Sequence, residues 1–311
     1  MTWMTKAKPY NALNAYYRDI FGSKVFKVSL NGGFTCPNRD GTAGVGGCTF
    51  CSVEGSGDFA GDPQKPLALQ FDAVCGRMRQ KWPDAKYIAY FQANTNTYDS
   101  PARLRQLYDE ALNLDDNIVG LAIATRCDGL DADIYDLLAE INERTHLQVE
   151  LGLQTIHPDT AETINRGHDL DCFTTAAREL VRRNIDTVVH IINGLPGETK
   201  QDMLATVDYV NSLHVQGIKI HMLHVMKHTA MGHAYLKKPF PILSRDEYVD
   251  IVCDQIERLD PSIIIHRLTG DAPDSLLLAP AWTRKKFVVM NEIDKELRRR
   301  GTHQGIRFQQ K

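Results

Sequence analysis

Seven short apolar runs, rich in valine and isoleucine, alternate along the chain with segments of helical periodicity. The runs occupy residues 25–30, 87–92, 118–125, 147–153, 187–193, 218–223 and 262–268. Several are apolar at almost every position, which is typical of parallel strands buried on both faces. The helical segments occupy residues 67–82, 101–113, 131–144, 171–184, 199–213 and 244–260. This alternation predicts an α/β fold: a partial (β/α) barrel whose parallel strands are surrounded by outer helices.

Composition places the chain among ordinary globular proteins. Of its 311 residues, 43% are hydrophobic and 24% are charged, and a net charge of −3 gives no sign of a polyanionic partner. No apolar run reaches transmembrane length, and the N-terminus lacks the layout of a signal peptide, so we expect a cytoplasmic protein without a membrane partner. We expect a helical lead-in over residues 1–24, the barrel over residues 25–270, and a C-terminal helix with a basic tail over residues 271–311.

The stretch GGFTCPNRDGTAGVGGCTFC, residues 32–51, places three cysteines in a glycine-rich loop directly after the first apolar run. Active sites of such barrels gather at the C-terminal ends of the strands, so we expect this loop at the active end. Eleven residues separate Cys36 from Cys48, and two separate Cys48 from Cys51. Thiolates suit zinc, copper(I) or iron–sulfur clusters, and structural zinc takes four ligands. Three cysteines therefore favour an iron–sulfur cluster with one open iron, and zinc or an incidental connector remain the alternatives.

The same loop resembles the cluster motif of radical S-adenosylmethionine (SAM) enzymes, with the aromatic Phe50 between the last two cysteines. The longer string KVFKVSLNGGFTCPNRDGTAGVGGCTFC resembles the YhcC/YtqA family within that superfamily. The resemblance continues through GLAIATRCDGL (120–130), VELGLQTIHPDTAETINRGHDL (149–170), HIINGLPGET (190–199), IKIHMLHV (218–225) and RRRGTHQG (298–305). Parts of it are similar to the core of the Elongator catalytic subunit, and the whole implies a partial barrel of the radical SAM type.

The resemblance implies a definite chemistry. Cys36, Cys48 and Cys51 would hold a [4Fe–4S] cluster whose fourth iron binds SAM. One electron from a flavodoxin- or ferredoxin-like donor then cleaves SAM into methionine and a 5′-deoxyadenosyl radical, which removes a hydrogen atom from the substrate.

The resemblance also implies a set of SAM contacts. Gln154 matches a glutamine that binds the SAM ribose, and Arg166 matches an arginine that binds its carboxylate, a pairing that suits the planar fork of arginine. Asn94 stands where related enzymes bind the SAM amino group, and His190 stands where a related porphyrinogen dehydrogenase has an aspartate on the ribose. Glu150, on the same strand face as Gln154, offers a carboxylate to an ammonium or a ribose hydroxyl. The alternative interpretations are polar ties inside the barrel, a surface ion pair for Arg166 and a simple turn at Asn94.

Two further features each have two interpretations. Cys127, in the string ATRCD, is either reactive at the active end of the barrel or packed as a small apolar residue. The four histidines at positions 221, 224, 228 and 233 either bind a metal or act as neutral donors and acceptors near the pocket.

The sequence leaves three functions open: modification of tRNA, a radical reaction on a small metabolite, and metal binding without catalysis. Some YtqA-type proteins are linked to wobble-uridine side-chain modification in bacterial tRNA, so the resemblance implies a tRNA substrate. The RNA backbone would then contact the arginines 298–300, joined by Arg284, Lys285 and Lys286, unless the arginines only cap the last helix. The acidic net charge supports instead a small metabolite as the substrate. The third function is a non-enzymatic metal-binding module.

Overall fold

The computed structural model describes residues 2–309, without the side chain of Arg77. Met1 and residues 310–311, the outer ends of the expected lead-in and tail, lie outside the described residues. The strands are β1 (Val25–Leu30), β2 (Lys86–Phe91), β3 (Ile118–Thr125), β4 (His146–Gln154), β5 (Asp186–Asn193), β6 (Gly217–Met222), β7 (Val225–Met226), β8 (Ile264–Arg267) and β9 (Leu277–Ala279). The helices are α1 (Leu13–Phe21), α2 (Leu67–Lys81), α3 (Pro101–Leu112), α4 (Ala132–Arg144), α5 (Pro158–Thr163), α6 (Leu170–Arg182), α7 (Lys200–Asn211), α8 (Ala230–Lys237), α9 (Arg245–Arg258) and α10 (Lys286–Arg300).

Within the described residues, seven parallel strands form one curled sheet in the order β1-β2-β3-β4-β5-β6-β8. Each strand pairs with its neighbour in chain order, and helices lie between successive strands, as βαβ units require. The sheet with helices around it is a half-barrel, so the predicted partial (β/α) barrel is confirmed. The seven predicted strands and the six helical segments predicted between residues 67 and 260 each lie within two residues of an observed element at both ends.

Some elements were not predicted, and they share a physical reason. α5 and α8 are short helices of 6 and 8 residues, and β7 is a strand of two residues that pairs antiparallel with β9. Elements this short do not complete enough of a helical or strand repeat to show a pattern in sequence. The expected helical lead-in is helical only from Leu13, where α1 begins.

α1 fills the N-terminal end of the open barrel. It contacts both edge strands, β1 and β8, and Ala12 just before it bridges to Ile265 of β8. Tyr17 packs with Ile88, Tyr90 and Ala122 on the inner face of the sheet. Its hydroxyl donates a 2.7 Å hydrogen bond to Oε1 of Gln148. The opposite, C-terminal end of the strands is left for the loops that carry the cysteines.

The main apolar core lies between the outer face of the sheet and the surrounding helices. Strand residues that point outward, such as Val28, Leu30, Val149 and Leu151, are fully buried there. The inner face carries the small apolar group around Tyr17 at its N-terminal end, and polar and charged side chains where it lines the cavity. No helix of residues 2–309 is both long and apolar enough to cross a membrane.

α10 is fastened to α9 by a cluster of charges around Arg300. The guanidinium of Arg300 pairs with Asp250 at 2.5 Å, Asp254 at 2.7 Å, Glu257 at 3.1 Å and Glu296 at 2.8 Å. Its side chain is only 14% exposed, whereas that of the neighbouring Arg299 is 74% exposed and pairs with Glu296 alone. Gly301 ends the helix in the left-handed conformation, with its N–H bonded to carbonyl oxygens of the last turn.

The first prediction concerns this cluster. Arg300→Gln removes the cation from among four carboxylates, and because solvent reaches part of the cluster we expect a loss of about 1–3 kcal/mol in the free energy of unfolding. Urea unfolding followed by circular dichroism measures the change. Arg299→Gln is the matched control and should leave the unfolding midpoint in place, since its pair is solvated. Equal midpoints for the two variants would show that α10 is not held through Arg300.

Candidate functional site

A cavity of about 600 Å³ occupies the barrel interior and the C-terminal ends of the strands. Eight of the nine side chains predicted to bind the cluster or SAM line it. They are Cys36, Cys48, Phe50, Cys51, Asn94, Glu150, Gln154 and His190. The structure therefore brings these side chains together in one cavity from segments that are distant in the chain, and their roles at the cluster and SAM stay predictions.

The cysteine loop brings nitrogen and hydroxyl donors to its sulfur atoms. Nη2 of Arg39 donates to Sγ of Cys51 at 3.1 Å, and Oγ of Ser56 lies 3.3 Å from the same sulfur. Nδ2 of Asn38 donates to Sγ of Cys48 at 3.8 Å. Hydrogen bonds of this kind stabilise anionic sulfur, as a metal-bound thiolate requires.

Burial opposes ionisation of the Cys48 thiol. Desolvation, assisted by the neighbouring Cys51, raises the pKa of Cys48 to about 11, and the nearby charge of Arg126 only partly offsets it. A coordinating metal ion deprotonates such a thiol, because its positive charge stabilises the thiolate that burial destabilises. The donor set therefore fits an iron–sulfur cluster, which takes soft thiolate ligands. Within the described residues no three His, Cys, Asp or Glu side chains are placed so that they could bind one metal ion together.

The loop is held from outside by the segment that follows α5. Nδ2 of Asn165 donates to the carbonyl oxygens of Val45 at 3.1 Å and Gly47 at 2.8 Å. In return, Nδ2 of Asn38 donates to the carbonyl oxygen of Asn165 at 2.7 Å, and the N–H of Thr49 donates to that of Ile164 at 2.9 Å. These bonds tie the loop between Cys36 and Cys48 to the segment after α5.

Asn165 was missed by sequence reasoning, although it lies in the quoted string INRGH. It has φ of 50° in the left-handed region, which asparagine tolerates better than most residues. Its amide also carries two donors, and both are used on the cysteine loop. The only signal for it in the sequence was its place directly before Arg166, in the segment that resembles a SAM-binding motif.

Arg166 does not line the cavity. Its side chain is buried, and its guanidinium donates to the carbonyl oxygens of Leu153 at 2.9 Å, Thr155 at 2.6 Å and His168 at 3.0 Å. Arg166 thereby connects the end of β4 to the segment before α6. This position differs from the predicted contact with SAM and from the alternative, a surface ion pair.

Arg126 lines the cavity beside the cysteines. It pairs with Asp128 through Nε at 2.8 Å and Nη2 at 2.6 Å, and Nη1 donates to the carbonyl oxygen of Arg166 at 2.8 Å. A guanidinium has five N–H donors, so these three bonds leave two for a ligand. Sequence reasoning assigned no role to this arginine.

Gln154 ends β4 in an uncommon conformation. Its φ is 63°, and the register between β4 and β5 shifts just before it. The side chain folds back over Gly152, where an added Cβ would lie 2.7 Å from Nε2 of Gln154, so a larger residue there would displace the glutamine amide. Oε1 of Gln154 is buried and has no hydrogen-bond partner among the described residues. An unpartnered acceptor on a cavity wall is suited to a ligand hydroxyl or amine.

Asn94 also lies in the left-handed region, with φ of 58°, directly after Ala93 with φ of 116°. Its Nδ2 donates to the carbonyl oxygen of Phe34 at 2.9 Å, and its backbone N–H donates to that of Gly55 at 2.9 Å. The turn after β2 is thereby joined to both sides of the cysteine loop.

Glu150 is the centre of a buried charge cluster on the cavity floor. Oε1 accepts from Nζ of Lys27 at 2.6 Å, while Oε2 accepts from Nζ of Lys219 at 2.5 Å and from the hydroxyl of Tyr90 at 2.6 Å. Nε2 of His190 lies 3.0 Å from Oε2. Both carboxylate oxygens are therefore committed to protein groups, which corresponds to the alternative interpretation of Glu150 as an interior tie.

Ionisation states within this cluster follow from burial and proximity. Burial alone would raise the pKa of Glu150, but Lys219, Lys27 and His190 outweigh it and hold that pKa well below its usual value. Burial lowers the pKa of Lys219 to about 7 although Glu150 opposes the shift, and it lowers the pKa of His190 to about 4. At neutral pH His190 is thus a neutral imidazole whose Nε2–H donates to Glu150.

The four histidines singled out in the sequence do not come together. His221 and His224 line the cavity, while His228 and His233 are exposed. His266 of β8, which sequence reasoning passed over, lines the cavity too, and the rings of His190 and His221 lie 5.4 Å apart. Burial keeps the pKa of His221 well below its usual value, so it is a neutral donor and acceptor near the pocket.

Comparison with known proteins gives a family for this arrangement. Residues 35–210 match the model of the Radical SAM superfamily, and residues 215–299 match that of the Radical_SAM C-terminal domain. The chain is 52% identical over 302 residues to the uncharacterized protein YtqA of Bacillus subtilis, covering 97% of this chain and 94% of YtqA. It is 37% identical over 282 residues to protein YhcC of Escherichia coli K12, covering 90% of each.

A solved structure shares the fold at low sequence identity. Elp3 of the archaeon Methanocaldococcus infernus, with its N-terminal residues 1–46 deleted, superposes with a TM-score of 0.68 at 14% identity. The match covers 91% of this chain and 64% of the Elp3 chain, so this chain spans somewhat less than two thirds of Elp3. At that identity the likeness concerns the barrel architecture.

The second prediction concerns the floor of the cavity. Glu150→Gln keeps the shape of the side chain but removes the charge that two buried lysines share, and breaking a buried pair in this way costs about 3–5 kcal/mol. Urea unfolding measures the loss. Glu140→Gln, which removes the same charge from an exposed pair with Arg105, is the control and should leave stability unchanged. Similar stability of the two variants would mean that the buried cluster contributes nothing to folding.

Proposed function

The chain belongs to the radical SAM superfamily, whose members use a [4Fe–4S] cluster and SAM, and we propose that Cys36, Cys48 and Cys51 are the cluster ligands. The observation that carries the proposal is the convergence of these three cysteines on one cavity, with donors from Arg39, Asn38 and Ser56 at the sulfur atoms. When bound, the cluster and SAM supply the 5′-deoxyadenosyl radical that removes a hydrogen atom from the substrate. The protein positions these groups and excludes competing reactions.

We propose that Gln154, Asn94 and Phe50 contact SAM. The unpartnered Oε1 of Gln154 supports a contact to a ribose hydroxyl, as the resemblance implies. Phe50 lines the cavity and packs against the apolar group of Ile164, Leu223 and Met231, which supports a fixed aromatic wall beside SAM.

We propose that Arg126, rather than Arg166, pairs with the SAM carboxylate. Arg126 lines the cavity and retains two N–H donors, whereas Arg166 is buried on three backbone carbonyl groups. Arg166 then acts as a positioning residue, because its own carbonyl oxygen accepts from Arg126. Glu150 would contribute through the charge of the cavity floor, and the neutral His190 through its hydrogen bond to Glu150.

Radical SAM enzymes need a one-electron donor, and we propose a flavodoxin- or ferredoxin-like protein that docks near the cysteine loop. Val45, Val53 and Phe59 are 78%, 73% and 56% exposed around this loop. Exposed apolar side chains close to a cluster are suited to a transient redox partner.

The third prediction tests the cluster ligands. Alanine at Cys36, Cys48 or Cys51 should abolish or destabilise the brown chromophore of the anaerobically reconstituted protein and stop SAM cleavage. Wild type should bind about four iron atoms per chain, as a cubane requires, whereas a metal-binding module of the zinc type would bind one ion and leave SAM intact.

Cys253→Ala is the matched control, because Cys253 is buried between α9 and α10 and bonds to the carbonyl oxygen of Ile293. It should keep both chromophore and SAM cleavage. Full SAM cleavage by Cys48→Ala protein would refute the ligand assignment.

For the substrate we propose a wobble-uridine side chain of tRNA, as the resemblance to YtqA-type proteins implies. Five of the six C-terminal cations have protein partners: Arg300 and Arg299 are paired with carboxylates, Arg298 donates to the carbonyl oxygen of Ala7, and Arg284 and Lys286 pair with Asp274 and Asp271. Lys285 is exposed and makes no ion pair among the described residues, so it is a single cation left for the expected RNA contact there. Lys237 and Lys238 are better placed. Both are exposed at the end of α8, and α8 is joined to the cysteine loop by the N–H of Met231, which donates to the carbonyl oxygen of Thr49 at 2.8 Å.

The fourth prediction follows from this placement. Replacing Lys237 and Lys238 by Gln should weaken tRNA binding and flatten the slope of log affinity against log salt by about 0.7–0.9 for each phosphate that is no longer neutralised. Replacing Arg298 and Arg299 by Gln should change neither. A larger effect of the arginine pair would return the RNA contact to the C-terminal helix.

A small metabolite is the second candidate substrate, favoured by the cavity floor, where Lys219, His221 and His266 present polar groups within an enclosed space. Nucleoside mass spectrometry of tRNA from a deletion strain distinguishes the two candidates. Loss of one modified wobble uridine supports the tRNA proposal. An unchanged nucleoside profile, with SAM cleavage intact in the purified protein, would give the metabolite first place.

A further inference from the structure

Two cysteines outside the cluster loop lie in contact with each other. Sγ of Cys127 and Sγ of Cys172 are 3.3 Å apart, although 45 residues separate them in the chain. Cys127 begins the short turn after β3, and Cys172 lies in the first turn of α6. Neither belongs to the proposed cluster site or lines its cavity. The remaining two cysteines, Cys75 and Cys253, are both fully buried in the apolar core.

The two thiols differ in access and in chemistry. Cys127 is 3% exposed, whereas Cys172 is half-buried and therefore open to a small reagent. Their shared hydrogen bond lowers the pKa of Cys172, and the same bond together with burial raises the pKa of Cys127. Cys172 also lies where the N–H groups of the first turn of α6 favour a thiolate. Cys172 is thus the thiol that attacks an external disulfide, and Cys127 is the buried thiol that attacks the Cys172 sulfur in the second step.

We propose that Cys127 and Cys172 form a redox-active dithiol that closes to a reversible disulfide at the edge of the cofactor site. The sulfur atoms have to approach from 3.3 Å to the bonding distance of about 2.05 Å, a movement within the range of side-chain rotation. The bond would join the turn after β3 to the start of α6. These two segments carry Arg126 and Arg166, so the disulfide ties together the two sides that already meet through the Arg126 to Arg166 hydrogen bond.

A low-molecular-weight disulfide serves as the oxidant, and the protein disulfide forms by thiol–disulfide exchange with it. The Cys172 thiolate attacks one sulfur of that disulfide, forms a mixed disulfide and releases one small thiolate, which takes up a proton. The Cys127 thiol then loses its proton to solvent and attacks the Cys172 sulfur, releasing the second small thiolate. Two protein thiols are oxidised by two electrons, and one small disulfide is reduced to two thiols. Excess small thiol reverses the sequence.

The test uses the full-length, cluster-loaded protein under anaerobic conditions, with oxidised glutathione as the probe. After alkylation of free thiols, trypsin releases Cys127 in the peptide 127–144 and Cys172 in the peptide 167–178, since arginines end both fragments. We expect these two peptides to be recovered cross-linked and lighter by two hydrogens. Reduced glutathione should restore the separate alkylated peptides.

The variants separate the two roles. Cys127→Ser should trap glutathione on Cys172, because the thiol that displaces it is gone. Cys172→Ser should leave Cys127 unmodified, because Cys127 is buried. Cys253→Ser is the control and should give the cross-linked peptide in wild-type yield. Recovery of both wild-type peptides in alkylated form, or a stable glutathione adduct on wild-type Cys172, would overturn the proposal, and so would a disulfide that joins Cys172 to the cysteine loop.

Discussion

One buried carboxylate determines how the interior of this barrel is organised. Glu150 receives hydrogen bonds from two lysines, a tyrosine and a histidine that come from four different strands. Two lysine ammonium groups in an enclosed space repel each other, and each loses its hydration, so neither is stable there without a shared anion. The same anion orients His190 through a hydrogen bond, while burial keeps that imidazole neutral. Strands β1, β2, β4, β5 and β6 are therefore held in register on the inner face by charge, while apolar packing holds them on the outer face.

The cavity combines this charged floor with a rim of soft sulfur ligands. At the rim, Arg39, Asn38 and Ser56 point donors at cysteine sulfur, and Arg126 brings a cation beside them. At the floor, the single charge of Glu150 offsets part of the positive charge of Lys27 and Lys219. The two ends of the cavity therefore differ in chemistry, with sulfur and donors at the rim and a cluster of paired charges below.

The architecture was predictable from sequence because its signal is local. Runs such as 118–125 are apolar at almost every position, so each of the seven strands could be recognised from its own stretch of sequence, and their ends differ from the structure by at most two residues. The cavity residues were predictable through the cysteine spacing and the family resemblance. The long-range partners were not. That Glu150 binds Lys27 and Lys219, that Asn165 holds the cysteine loop, and that Arg166 is buried on backbone carbonyl groups all depend on contacts between residues far apart in the chain. A single sequence carries no signal for such pairs.

The bonds between Asn38, Asn165 and the backbone of the cysteine loop have a consequence for the order of that loop. In small zinc domains the metal is the main source of order, and the chain is unfolded without it. Here the loop between Cys36 and Cys48 is closed by amide–carbonyl bonds to the segment after α5, which is itself part of the folded barrel. The cysteine loop therefore takes part of its order from the polypeptide itself, in contrast to a domain whose shape depends on the metal alone.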